Sequence, residues 1–142
     1  MKRHEVKEYC EAEFENIDSV LRELFSLAKG RKNHYTTAEL ASIATFVHNV
    51  YNGLENILKR VILFKKIEVK TSSTWHKDLL KTALDYEVID VPLYDSLSNY
   101  LSFRHFFVHS YVFTLKWKDL KPLVDTLKIT LQEFKVSIYD NI

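Results

Sequence analysis

Apolar residues recur along this chain at intervals of three and four, the period of a helix with one buried face. From residue 3 to about 29 the apolar positions are Val6, Tyr9, Cys10, Phe14, Ile17, Leu21, Leu24 and Phe25, and Gly30 follows as the expected stop. A second helix begins after Thr36 or Thr37, either of which can cap the free amides of its first turn. It continues through Leu40, Ile43, Val47, Val50, Leu54, Ile57, Leu58 and Val61 to about Phe64. Gly53 stands mid-helix, at a cost of about 1 kcal/mol relative to alanine, and points to close approach by a neighbouring backbone. Residues 66–74 form a polar connection in which Ile67 and Val69 alternate and allow a short extended piece. Thr74 is expected to cap a third, short helix carrying Trp75, Leu79, Leu80 and Leu84. A fourth starts near Val91–Pro92, where proline costs little, and carries Tyr94, Leu97, Tyr100, Leu101, Phe107 and Val108 to about Tyr111. The fifth is expected to start with Asp119 as its cap and Pro122 still in its first turn. Its residues Leu120, Val124, Leu127, Leu131, Phe134 and Ile138 form a seam for a long antiparallel partner. No repeat, low-complexity tract or flexible linker interrupts the pattern. The expectation is one all-α domain over 1–142, an up-and-down bundle of five helices.

Composition agrees with that reading. Two glycines and two prolines in 142 residues are too few for the tight turns of an all-β fold. The formal net charge of +1 lacks the basic footprint of a strong phosphate binder. The charge is uneven, however: residues 1–25 carry seven acids against four bases, and residues 59–81 carry seven bases against two acids. Solvated faces account for such runs. Cys10, the single cysteine, allows no internal disulfide and falls among packing positions. No apolar leader and no run of membrane-spanning length occurs, so a reducing, cytoplasmic setting without a membrane partner is expected.

The segment Phe103–Arg104–His105–Phe106–Phe107–Val108–His109–Ser110–Tyr111 sets an arginine, two histidines and a tyrosine on an otherwise apolar helix. A buried arginine without a partner is costly, so Arg104 should face a cleft, an interface or an acid. At about 100° per residue, Arg104 and Tyr111 lie on nearly one face, and His105 and His109 share another. Arg104 and His109 stand about 140° apart. They converge on one phosphate only if the helix end loosens or if two copies of the helix meet across a two-fold axis. The chemistry available to such a pair is RNA cleavage without a metal. A histidine takes the proton from a ribose 2′-OH and assists departure of the 5′-oxygen, while the arginine fork holds the phosphate and offsets its developing charge. By spacing alone the same residues also fit the polar edge of a core helix.

Arg104-x4-His109-x-Tyr111 resembles the R-x4-6-H-x-Y signature of HepT toxins in the HEPN superfamily, including the polar residue after the arginine, here His105. Tyr51-x-Gly53-Leu54-Glu55-x-Ile57-Leu58, Trp75-His76-Lys77-Asp78-Leu79-Leu80 and Leu120-Lys121-Pro122-Leu123-Val124 resemble the second, third and fifth helices of HepT-like proteins in the same order. The resemblance implies a homodimeric HEPN bundle in which two such motifs line one cleft, and an endoribonuclease with Arg104 and His109 as its catalytic pair and no cofactor. It further implies the toxin part of a type VII-like toxin–antitoxin system. The antitoxin would be a minimal nucleotidyltransferase that neutralises the toxin by transferring AMP onto the motif tyrosine, here Tyr111. A non-catalytic dimeric module that binds RNA or a nucleotidyltransferase is the alternative within the same family.

Other residues carry weaker signals. Glu55 is either a support that orients Arg104 or a histidine, or a surface glutamate. His76 either helps to line the cleft or packs at a helix start. His105 and His109 have metal-pair spacing but no third ligand nearby in sequence, so no metal site is expected. Lys116, Trp117, Lys118 and Lys121 form either a basic, aromatic loop that steers RNA or a solvated turn. His34 and His48 have no partner in sequence and receive no role.

Overall fold

The computed structural model describes residues 1–28, 33–69 and 72–142. These residues form five α-helices and one 3-10 turn, with no strand among them: α1 (Arg3–Leu27), α2 (Thr37–Phe64), α3 (Trp75–Asp85), α4 (Val91–His109), a 3-10 turn (Val112–Thr114) and α5 (Trp117–Asp140). The expected stop at Gly30 lies outside the described residues.

The helix ends follow from local chemistry. Of the two candidate threonines, Thr36 is the one that caps α2: its Oγ1 accepts from Glu39 N at 3.1 Å and its own N–H donates to Glu39 Oε1 at 2.8 Å. Thr74 precedes α3, but its side chain makes no cap bond. Its hydroxyl instead donates to the Asp78 carboxylate at 3.2 Å. α4 is capped by Asp90, whose Oδ1 accepts from Leu93 N at 2.9 Å, a cap that the reading from Val91–Pro92 passed over. α5 begins three residues earlier than expected, with Lys116 rather than Asp119 at the cap position and Trp117 as its first residue. Asp119 therefore lies within the first turn, where its charge favours the helix dipole, rather than at the cap. Pro122 correspondingly falls beyond the first turn.

Residues 66–69 form no strand. They begin with the closure of α2: Lys66, at φ 59°, lets its own N–H reach Leu63 O at 3.0 Å and Ile67 N reach Ile62 O at 3.1 Å. α3 ends the same way, with Glu87 at φ 59°, Glu87 N on Leu84 O at 3.0 Å and Val88 N on Ala83 O at 2.8 Å.

α2 is the central helix and packs against each of the other four. Its interior residues Ile43, Val47, Val50, Leu54, Ile57, Leu58 and Val61 are all buried, each worth about 1.5–3 kcal/mol relative to exposure. α1 lays Val6, Cys10, Phe14, Ile17, Leu21 and Leu24 against this core. Burial pushes the Cys10 thiol up to about 11, which suits a packing role. α1 crosses close to α2 at Gly53, where a Cβ would stand 2.8 Å from Ile17 Cγ1. α5 contributes its expected seam of Leu120, Val124, Leu127, Leu131, Phe134 and Ile138, all buried. α4 is tied to α5 by Tyr100, whose hydroxyl donates to Leu123 O at 2.6 Å.

Candidate active site

α4 has two halves of different character. In the first, Leu93, Leu97, Tyr100 and Phe103 face the core. In the second, Phe106 and Val108 are exposed, although both are apolar. Helical geometry is kept through His109 and then stops, because Ser110 turns extended at φ −111°, ψ 157°. Two consequences follow. The helix does not loosen before His109, so Arg104 and His109 remain about 140° apart on one copy. Tyr111 lies beyond the helix, so the seven-residue argument that put it on the Arg104 face does not hold. Tyr111 is instead 78% exposed, followed by Phe113 at 81%. An open hollow of about 310 Å³ beside it is lined by Ala41, Thr45, Phe107, Ser110, Tyr111 and Leu115.

His105 and His109 project together, with ring centroids 4.7 Å apart, and both are exposed. Among the described residues no third metal-ligating side chain gathers with them. Arg104 is half-buried and turns toward α2, where its Nε donates to Asn52 Oδ1 at 3.4 Å. Of the cleft, interface or acid expected for Arg104, no acid among the described residues is its hydrogen-bond partner; that partner is a neutral amide.

Asn52 belongs to a polar stripe on α2. His48, Asn52, Glu55 and Lys59 follow at steps of four, three and four, so they share one face. Asn52 Nδ2 lies 3.1 Å from His48 Nε2, and the His48 ring lies 4.9 Å from Phe107 of α4. Burial first, and then the Arg104 charge, hold the His48 pKa below its ordinary value, opposed by Glu55.

Glu55 is almost fully buried and bonds to His76, whose Nδ1 lies 2.9 Å from both carboxylate oxygens. Glu55 is therefore not a surface glutamate; of the two partners offered by the other reading, Arg104 or a histidine, it holds a histidine, His76. Trp75 lies against the His76 ring at 3.7 Å, and Lys59 sits over the Trp75 ring at 4.2 Å. The Tyr51 hydroxyl is buried beside Glu55, and burial first, then the Glu55 carboxylate, push its pKa well above the usual phenol range.

Lys116, Trp117, Lys118 and Lys121, read either as an RNA-steering loop or as a solvated turn, lie at the start of α5. Trp117 is half-buried with its ring against Tyr35 at 4.7 Å, and Lys121 is paired with Asp125 at 2.7 Å. Lys116 and Lys118 are exposed at the start of α5. Tyr111 and Phe113 are more exposed than any other aromatic side chain among the described residues. Asn52 and His48, which the sequence reading left without a role, are joined to Arg104 instead. Their i, i+4 spacing was the available signal, but nothing in the sequence says which face of α2 meets α4.

A five-helix bundle whose fourth helix carries Arg104 and His109 near its end, with Tyr111 just beyond it, is consistent with a HEPN bundle. A family model described as HepT-like protein matches residues 42–141, from α2 to the end of α5. The chain belongs to the HepT-like family. No curated protein and no solved structure matches it significantly. No helix among the described residues is long and apolar enough to cross a membrane.

Proposed function

We propose that two copies of this chain form a metal-independent endoribonuclease, the toxin of a type VII-like toxin–antitoxin system, which a nucleotidyltransferase antitoxin silences by adenylylating Tyr111. The observation that carries this reading is the end of α4. There a tethered guanidinium, two exposed imidazoles and an exposed phenol share an apolar segment that a single copy leaves open to solvent. Phe106 and Val108 are the apolar surface that a second copy would cover, and such a copy would bring the Arg104 of one chain toward the His109 of the other.

In that cleft His109 takes the proton from a ribose 2′-OH. The 2′-oxygen attacks phosphorus, the bond to the 5′-oxygen breaks, and the leaving oxygen receives a proton from an imidazolium. Products are a 2′,3′-cyclic phosphate and a free 5′-OH. The Arg104 fork, held at Nε by Asn52, keeps its terminal nitrogens for the phosphate. Adenylylation joins the Tyr111 oxygen to the α-phosphate of ATP and releases pyrophosphate. The exposure of Tyr111 gives a partner enzyme access, and the bulky anion would obstruct the cleft.

RNA digestion with end-group analysis tests the reading. Wild type is expected to leave cyclic phosphate ends in excess chelator, and Arg104→Ala and His109→Ala each to lose at least about a hundredfold in rate while remaining folded. Intact mass after incubation with ATP and the antitoxin should rise by whole adenylates, mapped to Tyr111. A wild-type dimer that binds RNA without cutting it, at any stoichiometry, would leave a binding module in place of the enzyme.

A further inference from the structure

We infer that Asn52 and His48 are positioning residues for Arg104, and that they hold its guanidinium only while His48 is neutral. The inference rests on the reading that Arg104 grips a phosphate, and it comes from the donor and acceptor order of one chain of contacts. Arginine has donors only. The atom that Asn52 turns to Arg104 Nε, 3.4 Å away, is therefore its carbonyl oxygen. That leaves the amide Nδ2 facing His48 Nε2 at 3.1 Å. An amide nitrogen only donates, so His48 Nε2 is the acceptor and the imidazole proton sits on Nδ1, a buried atom with no hydrogen-bond partner of its own among the described residues. Each contact in the chain fixes the next.

Protonation of His48 breaks the order. An Nε2–H would face the Asn52 NH₂, two donors head to head. Turning the amide over would satisfy His48, but would set the NH₂ against the Nε–H of Arg104. Arg104 then loses its tether, and its fork no longer has one orientation. The charged groups acting on His48 are Arg104 from α4 and Glu55 from its own helix, and the Phe107 ring of α4 covers it at 4.9 Å. Burial together with the Arg104 charge favours the neutral imidazole that the chain requires. Both residues act through Arg104, and neither is assigned a contact with RNA.

Two measurements test this. In a long-range ¹⁵N spectrum of the full chain, His48 should carry its proton on Nδ1, and the Arg104 Nε–H signal should be protected from solvent exchange. That protection should vanish in Asn52→Ala and persist in His48→Gln, whose amide oxygen still accepts from Asn52. In RNA cleavage, Asn52→Ala should lower kcat about tenfold with KM within about twofold, and the Arg104→Ala/Asn52→Ala double variant should be no slower than Arg104→Ala alone. His48→Gln should lose less than His48→Ala. An unprotected Arg104 Nε–H in wild type, His48 protonated on Nε2, or losses that add in the double variant would overturn the inference. A wild type that cuts no RNA, yet shows the protected signal lost in Asn52→Ala, keeps the positioning and removes the ribonuclease reading.

Discussion

His76 Nδ1 lies 2.9 Å from both carboxylate oxygens of Glu55, joining the start of α3 to the middle of α2 in a place where the glutamate has almost no access to water. A buried carboxylate with one strong partner depends on it, because removing the partner leaves the charge without compensation. His76→Ala is therefore expected to destabilise the protein by about 3 kcal/mol. Adding Glu55→Gln to that variant should recover part of the loss, since a neutral amide costs less to bury unpaired than a carboxylate. Denaturant unfolding of the two single variants and the double checks this. Equal stability of wild type and His76→Ala would show that the pair contributes nothing.

Gly53 fixes how closely α1 approaches α2. An added Cβ would stand 2.8 Å from Ile17 Cγ1 and 2.9 Å from Cδ1, closer than packed carbons approach. Gly53→Ala gains about 1 kcal/mol of helix propensity but overpacks the contact, which costs about 1–3 kcal/mol. The expected net change is a loss of about 1 kcal/mol. Ile17→Ala should cost less in the Gly53→Ala background than in wild type, and a double-mutant cycle by thermal or denaturant unfolding measures the difference.

Lys66 and Glu87 end α2 and α3 in the left-handed region, both at φ 59°, where side chains are disfavoured and glycine is not. Lys66→Gly and Glu87→Gly are each expected to stabilise the fold by about 0.5–1 kcal/mol, after the extra chain entropy of glycine in the unfolded state is taken off. Unfolding midpoints should rise for both. A fall in either would mean that the side chain contributes more than its backbone strain costs.

These helix ends show what was legible in the sequence. Apolar spacing located the five helices and most of the buried faces of α1, α2 and α5, because one periodic signal covers many residues; on α4 it passed over the buried Leu93 and Phe103 and counted Val108, which is exposed. Termini rest on one or two atoms each. Glycine, the usual sign of a helix end, is absent where Lys66 and Glu87 close α2 and α3, and Asp90 was hidden in front of the more conspicuous Val91–Pro92. The site divides in the same way. Arg104, His105, His109 and Tyr111 stood out because polar groups are conspicuous on an apolar helix. Asn52 and His48 did not, since on a half-polar helix their importance depends on where α4 crosses. Tyr111 was misplaced by extending helical geometry past His109, where the chain turns extended at Ser110.

His48 sets a pH dependence whose sign is fixed by the direction of its shift. Burial and the nearby Arg104 charge lower its pKa in the folded protein below the ordinary value of 6.5, so the unfolded chain binds this proton more readily. Its contribution to stability is complete above 6.5 and is lost as pH falls through the folded pKa. The informative quantity is the stability of wild type minus that of His48→Gln, which isolates this one group. That difference should move against wild type as pH is lowered from 7.5 to 5, about one unit or more to either side of the ordinary histidine value. The His48 ring resonances should titrate with a midpoint below 6.5 in wild type, and the midpoint should rise in Arg104→Ala, where the opposing charge is gone while Glu55 remains. A midpoint at or above 6.5 would mean that Glu55 outweighs both burial and Arg104.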